Sequence, residues 1–234
     1  MKKHTIYMVD YKFIEYLEQF VSEKRRNLFK KVLEDRTRHF TVAIEDIFMP
    51  QNASAVVRSC DVFGVQDVHI IETKYKFYAS NHIAKGAQKW LDFSVYKRND
   101  SNNTLDCIAD LRSKGYKIIA TTPHNDSCLL QDFDITEKSA FFFGVEKAGL
   151  SKDVMDNADG FLKIPMVGFT ESLNISVAAA IILQNLSEKL KKSEVKWQLT
   201  ETEKDVKYQE WMEKSIKSIK KIKENYYSKI AIQS

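Results

Sequence analysis

Three stretches of this 234-residue chain gather side chains that can orient or activate a substrate. The first runs from Asn52 to Cys60 and holds Arg58. The second runs from Gly144 to Ser151 and holds Glu146. The third runs from Ile164 to Ser176 and holds Ser172 and Asn174. An arginine offers a planar fork of donors matched to phosphate or carboxylate, while amides, hydroxyls and a carboxylate can hold a hydroxylated substrate and steer its protons. Each residue also has a plain structural explanation. Asn52 and Asn174 stand where helices begin and could serve as N-caps, as could Ser151. Arg58, among Val56, Val57 and Cys60, reads as a surface or salt-bridge arginine, and a loop glutamate such as Glu146 is ordinarily solvated.

The elements that must position these stretches alternate. Apolar runs at 40–44, 68–71, 91–96, 116–121, 140–145 and 161–164 read as strands. Between them lie helical patterns: one after Pro50 that ends on Gly64, one over 101–114 with Ser101 as N-cap and Gly115 behind it, and one from Asn174 to Leu190. That last pattern is apolar on nearly every side and predicts a buried helix. Strand and helix in alternation imply an α/β fold, a mostly parallel sheet with helices on both faces, in which ligands bind at the carboxyl ends of the strands. All three stretches fall at that edge. Residues 11–34 and the segment beyond Lys192 predict helical N- and C-terminal extensions, so the chain divides into 1–39, 40–190 and 191–234.

Composition narrows the chemistry. Glycine and proline number seven and three, about 4% of the chain against an average near 12%. No G-x-G-x-x-G and no G-x-x-x-x-G-K-[ST] occurs, which removes the usual glycine-rich phosphate cradles. Three widely spaced cysteines suggest neither a disulfide framework nor a zinc site, so no metal is expected. No apolar run approaches the roughly 18 residues of a membrane span, and the N-terminus lacks a signal-peptide core, which predicts a soluble, cytoplasmic protein with no membrane partner. The net charge of +4 is uneven: residues 1–39 carry ten basic against six acidic side chains, residues 189–234 carry twelve against seven, and the middle carries fourteen against nineteen. An acidic core between basic ends suits a polyanionic partner, and equally suits two solvated lysine-rich helices.

Taken together, the three stretches resemble the motifs of the SPOUT methyltransferases, in the SpoU/TrmH branch of RNA 2′-O-ribose methyltransferases. Asn52 to Arg58 is similar to N-x-x-A-x-x-R, Gly144 to Ser151 to G-x-E-x-x-G-[LI]-[ST], and Ile164 to Ser176 to I-P-M-x-G-x-x-x-S-L-N-[VI]-S. Order, spacing and neighbours match over roughly residues 40–190. The stretch from Phe40 to His69 and the Ala120-Thr121 step are most similar to the members that methylate the D-loop guanosine at position eighteen of tRNA.

The resemblance implies a C-terminal deep trefoil knot, an α/β knot, that binds S-adenosyl-L-methionine, with Thr121, Gly144, Ile164, Met166 and Leu173 around the cofactor. It implies a homodimer whose site lies at the subunit interface, with Arg58, Asn52, Glu146, Ser172 and Asn174 as the catalytic set. An arginine ordinarily stays protonated far above neutral pH, so making one a base near neutrality costs roughly 7 kcal/mol. The fork reading of Arg58, holding the target phosphate and orienting the hydroxyl, is therefore preferred. With tRNA as partner, Lys24, Arg25, Arg26, Lys30, Lys31, Arg36 and Arg38 form the expected RNA surface. The C-terminal lysines, with Trp197 or Trp211, form a weaker one, the alternative being that those tryptophans only dock the extension on the core. The same motifs serve ribosomal RNA methyltransferases, which usually carry a domain ahead of the knot; here about 40 residues precede it, which favours tRNA. A non-catalytic RNA-binding module of this fold is the remaining alternative.

Overall fold

A computed structural model of the chain describes residues 9–77, 84–123, 127–145 and 148–233. Two compact units divide it: Thr37–Trp197, and a second built from Met1–Arg36 together with Gln198–Ser234.

The larger unit is organised by short apolar runs too brief to be helices. β1 (Phe40–Glu45), β2 (Asp67–Ile71), β3 (Asp92–Tyr96), β4 (Lys117–Thr121), β5 (Cys128–Leu129), β6 (Ser139–Phe143) and β7 (Gly160–Lys163) pair in the order β3-β2-β1-β6-β4-β7-β5, and every pairing is parallel. Six strands fall within a residue or two of their expected places. β5 lies outside the expected set, because two residues carry no periodicity; it exists by pairing Cys128 and Leu129 with Leu162 and Lys163 of β7. β1 and β6 are buried along their whole length. The pleat of β6 sends Phe141 and Phe143 to one core and Ala140 and Phe142 to the other, so the sheet is covered on both faces.

One face carries α3 (Pro50–Val62) packed on α6 (Ile175–Lys191), with Val56, Val57, Ile182 and Leu183 in the core. Pro50 starts α3 at a position where its missing N–H costs nothing, and Gly64 follows it at φ 82°. The Ser187 hydroxyl donates to the Phe63 carbonyl at 3.0 Å and ties the end of α3 to α6. The expectation that α6 is buried all round needs correction: Val177 and Ile181, one turn apart, stand exposed.

The other face carries α4 (Asn103–Ser113) and α5 (Lys152–Asn157). Asn102, not Ser101, caps α4, accepting from the amides of Thr104 and Leu105, while Ser101 donates to Asp106. A partly buried chain of polar groups joins this helix to the sheet. Tyr96 donates to Asp110 at 2.6 Å, Lys114 donates to the same carboxylate, and the Tyr96 oxygen lies 3.1 Å from His69 Nδ1. Burial pushes the His69 imidazole down to about 4, so it is neutral near pH 7.

The second unit joins α1 (Tyr11–Glu18), α2 (Glu23–Leu33), α7 (Glu201–Ser215) and α8 (Ile219–Gln233), so helices from the two parts of the chain that flank the sheet build one helical body. Phe13, Leu17, Phe29, Leu33, Tyr208, Trp211 and Met212 are buried in it. Trp211 meets Phe29 edge-on with ring centroids 5.7 Å apart, and Glu18 accepts from both Tyr208 and Arg26. Arg36 is only 2% exposed, its guanidinium 5.4 Å over the Trp211 ring, and is not available at a surface.

Candidate active site

Two helix starts and two loops converge at the carboxyl edge of the sheet. Asn52 is the third residue of α3 and does not cap it; Met49 occupies that position with no side-chain bond. Asn174 does cap α6, its Oδ1 accepting from the Ser176 amide at 2.9 Å and hydroxyl at 2.6 Å. Its Nδ2 then donates to Asn52 Oδ1 at 3.2 Å, so the first and third motifs are joined amide to amide. The capping explanation holds for Asn174 and fails for Asn52, whose side chain is turned to Asn174 instead.

Arg58 lies six residues beyond Asn52, a rotation of about 240° around a helix, which puts it on a different side of α3. It is exposed and makes no hydrogen bond or ion pair among the described residues. Its neighbour one turn on, Val62, is 65% exposed. The single chain therefore brings Asn52 and Asn174 together and leaves Arg58 facing outward beside bare apolar surface.

The second motif follows β6. Val145 and Gly149 exchange backbone hydrogen bonds at 3.1 and 2.8 Å, folding the loop back on itself, with Gly149 at φ 69°. A methyl group added at Gly144 would stand 2.2 Å from the Gly149 carbonyl oxygen, so only glycine fits. Glu146 lies outside the described residues. Ser151 closes the loop by capping α5, and it also holds a carboxylate that sequence reasoning missed. Glu45, at the end of β1 and 4% exposed, accepts from the Ser151 amide at 2.9 Å, the Ser151 hydroxyl at 2.7 Å and the Thr104 hydroxyl at 2.7 Å. An acidic residue closing an otherwise apolar strand was the available signal. Glu45→Gln turns an amide donor toward a donor already there. It is expected to lower unfolding free energy by about 1–3 kcal/mol and to weaken cofactor binding with it, as read by denaturant titration and calorimetry. Unchanged stability and binding would show that the loop stands without this anchor.

These loops enclose a cavity of about 380 Å³, within the size range of small-ligand sites. All five residues expected around a cofactor, Thr121, Gly144, Ile164, Met166 and Leu173, line it, and Ser172 joins them. Leu162, Ile164 and Ile182 supply apolar wall, and the backbone of the Gly144–Gly149 loop supplies polar groups. The Thr121 hydroxyl is committed to the Phe142 carbonyl at 2.6 Å, which fastens β4 to β6 beneath the cavity. A small organic ligand with apolar and polar parts suits this lining; a triphosphate does not, since no cluster of cations lines it among the described residues. Among the same residues no group of three or more histidines, cysteines or carboxylates is placed to hold a metal ion, and no helix is long and apolar enough to cross a membrane.

The sequence pattern of the SpoU rRNA Methylase family matches residues 39–184, spanning the whole cavity and all three motifs. The chain belongs to the SpoU rRNA methylase family. Within it, a tRNA (guanosine(18)-2′-O)-methyltransferase of Borreliella burgdorferi is 41% identical over 193 residues, 82% of this chain and 86% of that protein. One from Thermus thermophilus is 35% identical over 162 residues, 69% of this chain and 81% of that protein. Among solved structures, the A. aeolicus TrmH/SpoU tRNA modifying enzyme superposes with a TM-score of 0.71 at 28% identity, covering 83% of this chain and 98% of that one. The SpoU methyltransferase AviRb from Streptomyces viridochromogenes, solved with the cofactor AdoMet, shares the fold at 24% identity and TM-score 0.59, covering 70% of this chain and 65% of its own.

Proposed function

We propose that this SpoU-family protein methylates the 2′-hydroxyl of a tRNA ribose, that of the D-loop guanosine at position eighteen, with S-adenosyl-L-methionine as donor. One observation carries the reading: the second and third motifs and Thr121 converge on a single cavity whose wall has no room for a Cβ at Gly144. The substrate assignment draws on the two relatives of that activity, which match this chain over most of their length.

Bound in the cavity, the cofactor supplies an electrophilic methyl carbon on sulfonium. The apolar wall of Leu162, Ile164 and Ile182 excludes water around it, and the tight Gly144–Gly149 loop lets backbone groups approach closely. Asn174 fixes Asn52, and together the two amides position the ribose. Arg58 acts as a fork on the target phosphate and orients the hydroxyl, which loses its proton late to solvent or another group. Glu146 and Ser172 shape the two loops.

We further propose that the chain works as a cytoplasmic homodimer with the α/β segment closed as a deep trefoil knot. The exposed apolar side chains Val62, Val177 and Ile181 on these two helices support the dimer, and Arg58, exposed and outside the cavity lining, would act on a substrate whose site a second copy completes. β7, later in the chain than β4 and β5, pairs between them, and this insertion supports the knot.

Lys24, Arg25, Lys30 and Lys31 are exposed on α2 and form the tRNA surface of the helical unit. Arg26 is half-buried against Glu18, and Arg38 is held by Asp67 and Asp92, so these two and the buried Arg36 are excluded from that surface. Replacing the four exposed residues with alanine is expected to raise KM for tRNA and flatten its salt dependence, by about 0.7–0.9 in log–log slope for each phosphate that the protein ceases to neutralise. Cofactor affinity should stay put. An unchanged salt slope would move the RNA surface elsewhere. The functional reading as a whole is tested by labelled methyl transfer to unmodified tRNA against ribosomal RNA; transfer to ribosomal RNA alone would overturn it.

A further inference from the structure

β1 ends on Glu45, and the next residue, Asp46, sits in the left-handed region at φ 50°, uncommon for a residue with a side chain. Its carboxylate accepts four hydrogen bonds from one short segment: the Thr73 amide at 2.7 Å, the Thr73 hydroxyl at 2.5 Å, the Lys74 amide at 2.8 Å and the Tyr75 amide at 3.3 Å. Burial would raise this carboxyl, but the Thr73 hydroxyl and the three amides outweigh it and hold it below the usual aspartate value. Glu72 braces the same segment from the other end by accepting from the Phe77 amide at 2.9 Å. An exposed loop rarely receives so many fixed contacts, and what they fix is a ring. Tyr75 meets Phe48 with centroids 5.0 Å apart and planes at 66°. Phe48 is 62% exposed and Tyr75 43%, and Lys74 and Lys76 flank them, also exposed.

The location is chemical as well. Phe48 precedes Pro50, the first residue of α3, by two positions, and Asn52 follows in the first turn of that helix. We propose that the edge-to-face pair of Phe48 and Tyr75 receives one unstacked base of the RNA substrate, stacked on one ring and met edge-on by the other, beside the ribose being methylated, with Lys74 and Lys76 against its phosphates. The inference rests on the RNA methyl-transfer reading and adds a recognition element outside the three motifs. Exposed rings gain little from water and much from a base face, and adjacent cations select a polyanion over a protein surface. The other exposed apolar side chains of α3 and α6, Val62, Val177 and Ile181, have no lysine beside them in the sequence.

The test compares the wild-type chain with Phe48→Ala, Tyr75→Ala, the double variant and Tyr75→Phe. It reads KM and kcat with a tRNA transcript, direct retention of the same transcript on filters, cofactor affinity by calorimetry, and oligomeric state by light scattering. Each alanine is expected to weaken transcript binding and raise KM by about ten-fold, within the roughly five- to hundred-fold range that removal of one base-stacking ring produces. Tyr75→Phe should retain wild-type KM, with cofactor affinity and oligomeric state unchanged throughout. A double variant that binds the transcript as wild type does overturns the stacking role. So does a double variant that changes oligomeric state, which would give the rings to a second copy. Transcript binding that falls in the variants while the wild type transfers no methyl group would overturn the methyl-transfer reading and leave the stacking role standing.

Discussion

Arg58→Ala is expected to reduce methyl transfer by about a thousand-fold or to background while cofactor affinity stays within about two-fold of wild type. The arginine stands on α3, clear of the cavity lining, so removing it empties no part of the cofactor wall. What disappears is a charged fork acting on the substrate as the hydroxyl attacks, and a preorganised donor of that kind contributes about 10²–10³ in kcat. Arg58→Lys should recover little, because a point ammonium cannot reproduce two parallel bonds to one phosphate. The measurement is single-turnover transfer to tRNA beside calorimetric cofactor titration. A variant that keeps a substantial fraction of the wild-type rate would remove Arg58 from the centre of the reaction. A variant that loses cofactor binding equally would make it a structural residue.

Gly144→Ala carries the second large effect, and its cause is steric. The added methyl would lie 2.2 Å from the Gly149 carbonyl oxygen and 2.4 Å from its carbon, both backbone atoms that cannot rotate away. The loop must open, and with it the hydrogen-bond pair between Val145 and Gly149 that shapes one wall of the cavity. Cofactor dissociation is expected to rise by about 100-fold or more, with a lowered melting temperature. Gly160→Ala is the matched control: its methyl would meet only the Ile119 Cδ1 atom at 3.4 Å, an ordinary contact, so binding should be close to wild type. Equal behaviour of the two variants would show that the close crossing at Gly144 does not govern the site.

Much of the sheet is legible in the sequence because its strands are buried on both faces and read as short apolar runs: Phe40 to Ile44 and Ala140 to Phe143 are the clearest. The cavity lining is legible through motif resemblance, and Thr121, Gly144, Ile164, Met166 and Leu173 are found together. Long-range pairing is what local pattern does not carry. Nothing near Glu45 in the sequence points to Ser151 or Thr104, and nothing near Asp46 points to Thr73. Arg36 reads as a surface cation until Trp211, far along the chain, is folded over it, and the same packing turns two separate segments into one helical unit. β5 is invisible because its two residues are a strand only by virtue of β7. The apolar α6 reads as wholly buried because periodicity reports what a face prefers, not whether this chain alone covers it; Val177 and Ile181 are left bare.

Transfer of a methyl group to one ribose hydroxyl in the D-loop is read out by labelled methyl transfer to an unmodified tRNA transcript followed by nuclease mapping of the resistant linkage. The predicted result is a single 2′-O-methylated guanosine at position eighteen, absent when that guanosine is replaced. Label on a base, or on a ribose outside the D-loop, would rule out methylation at that hydroxyl.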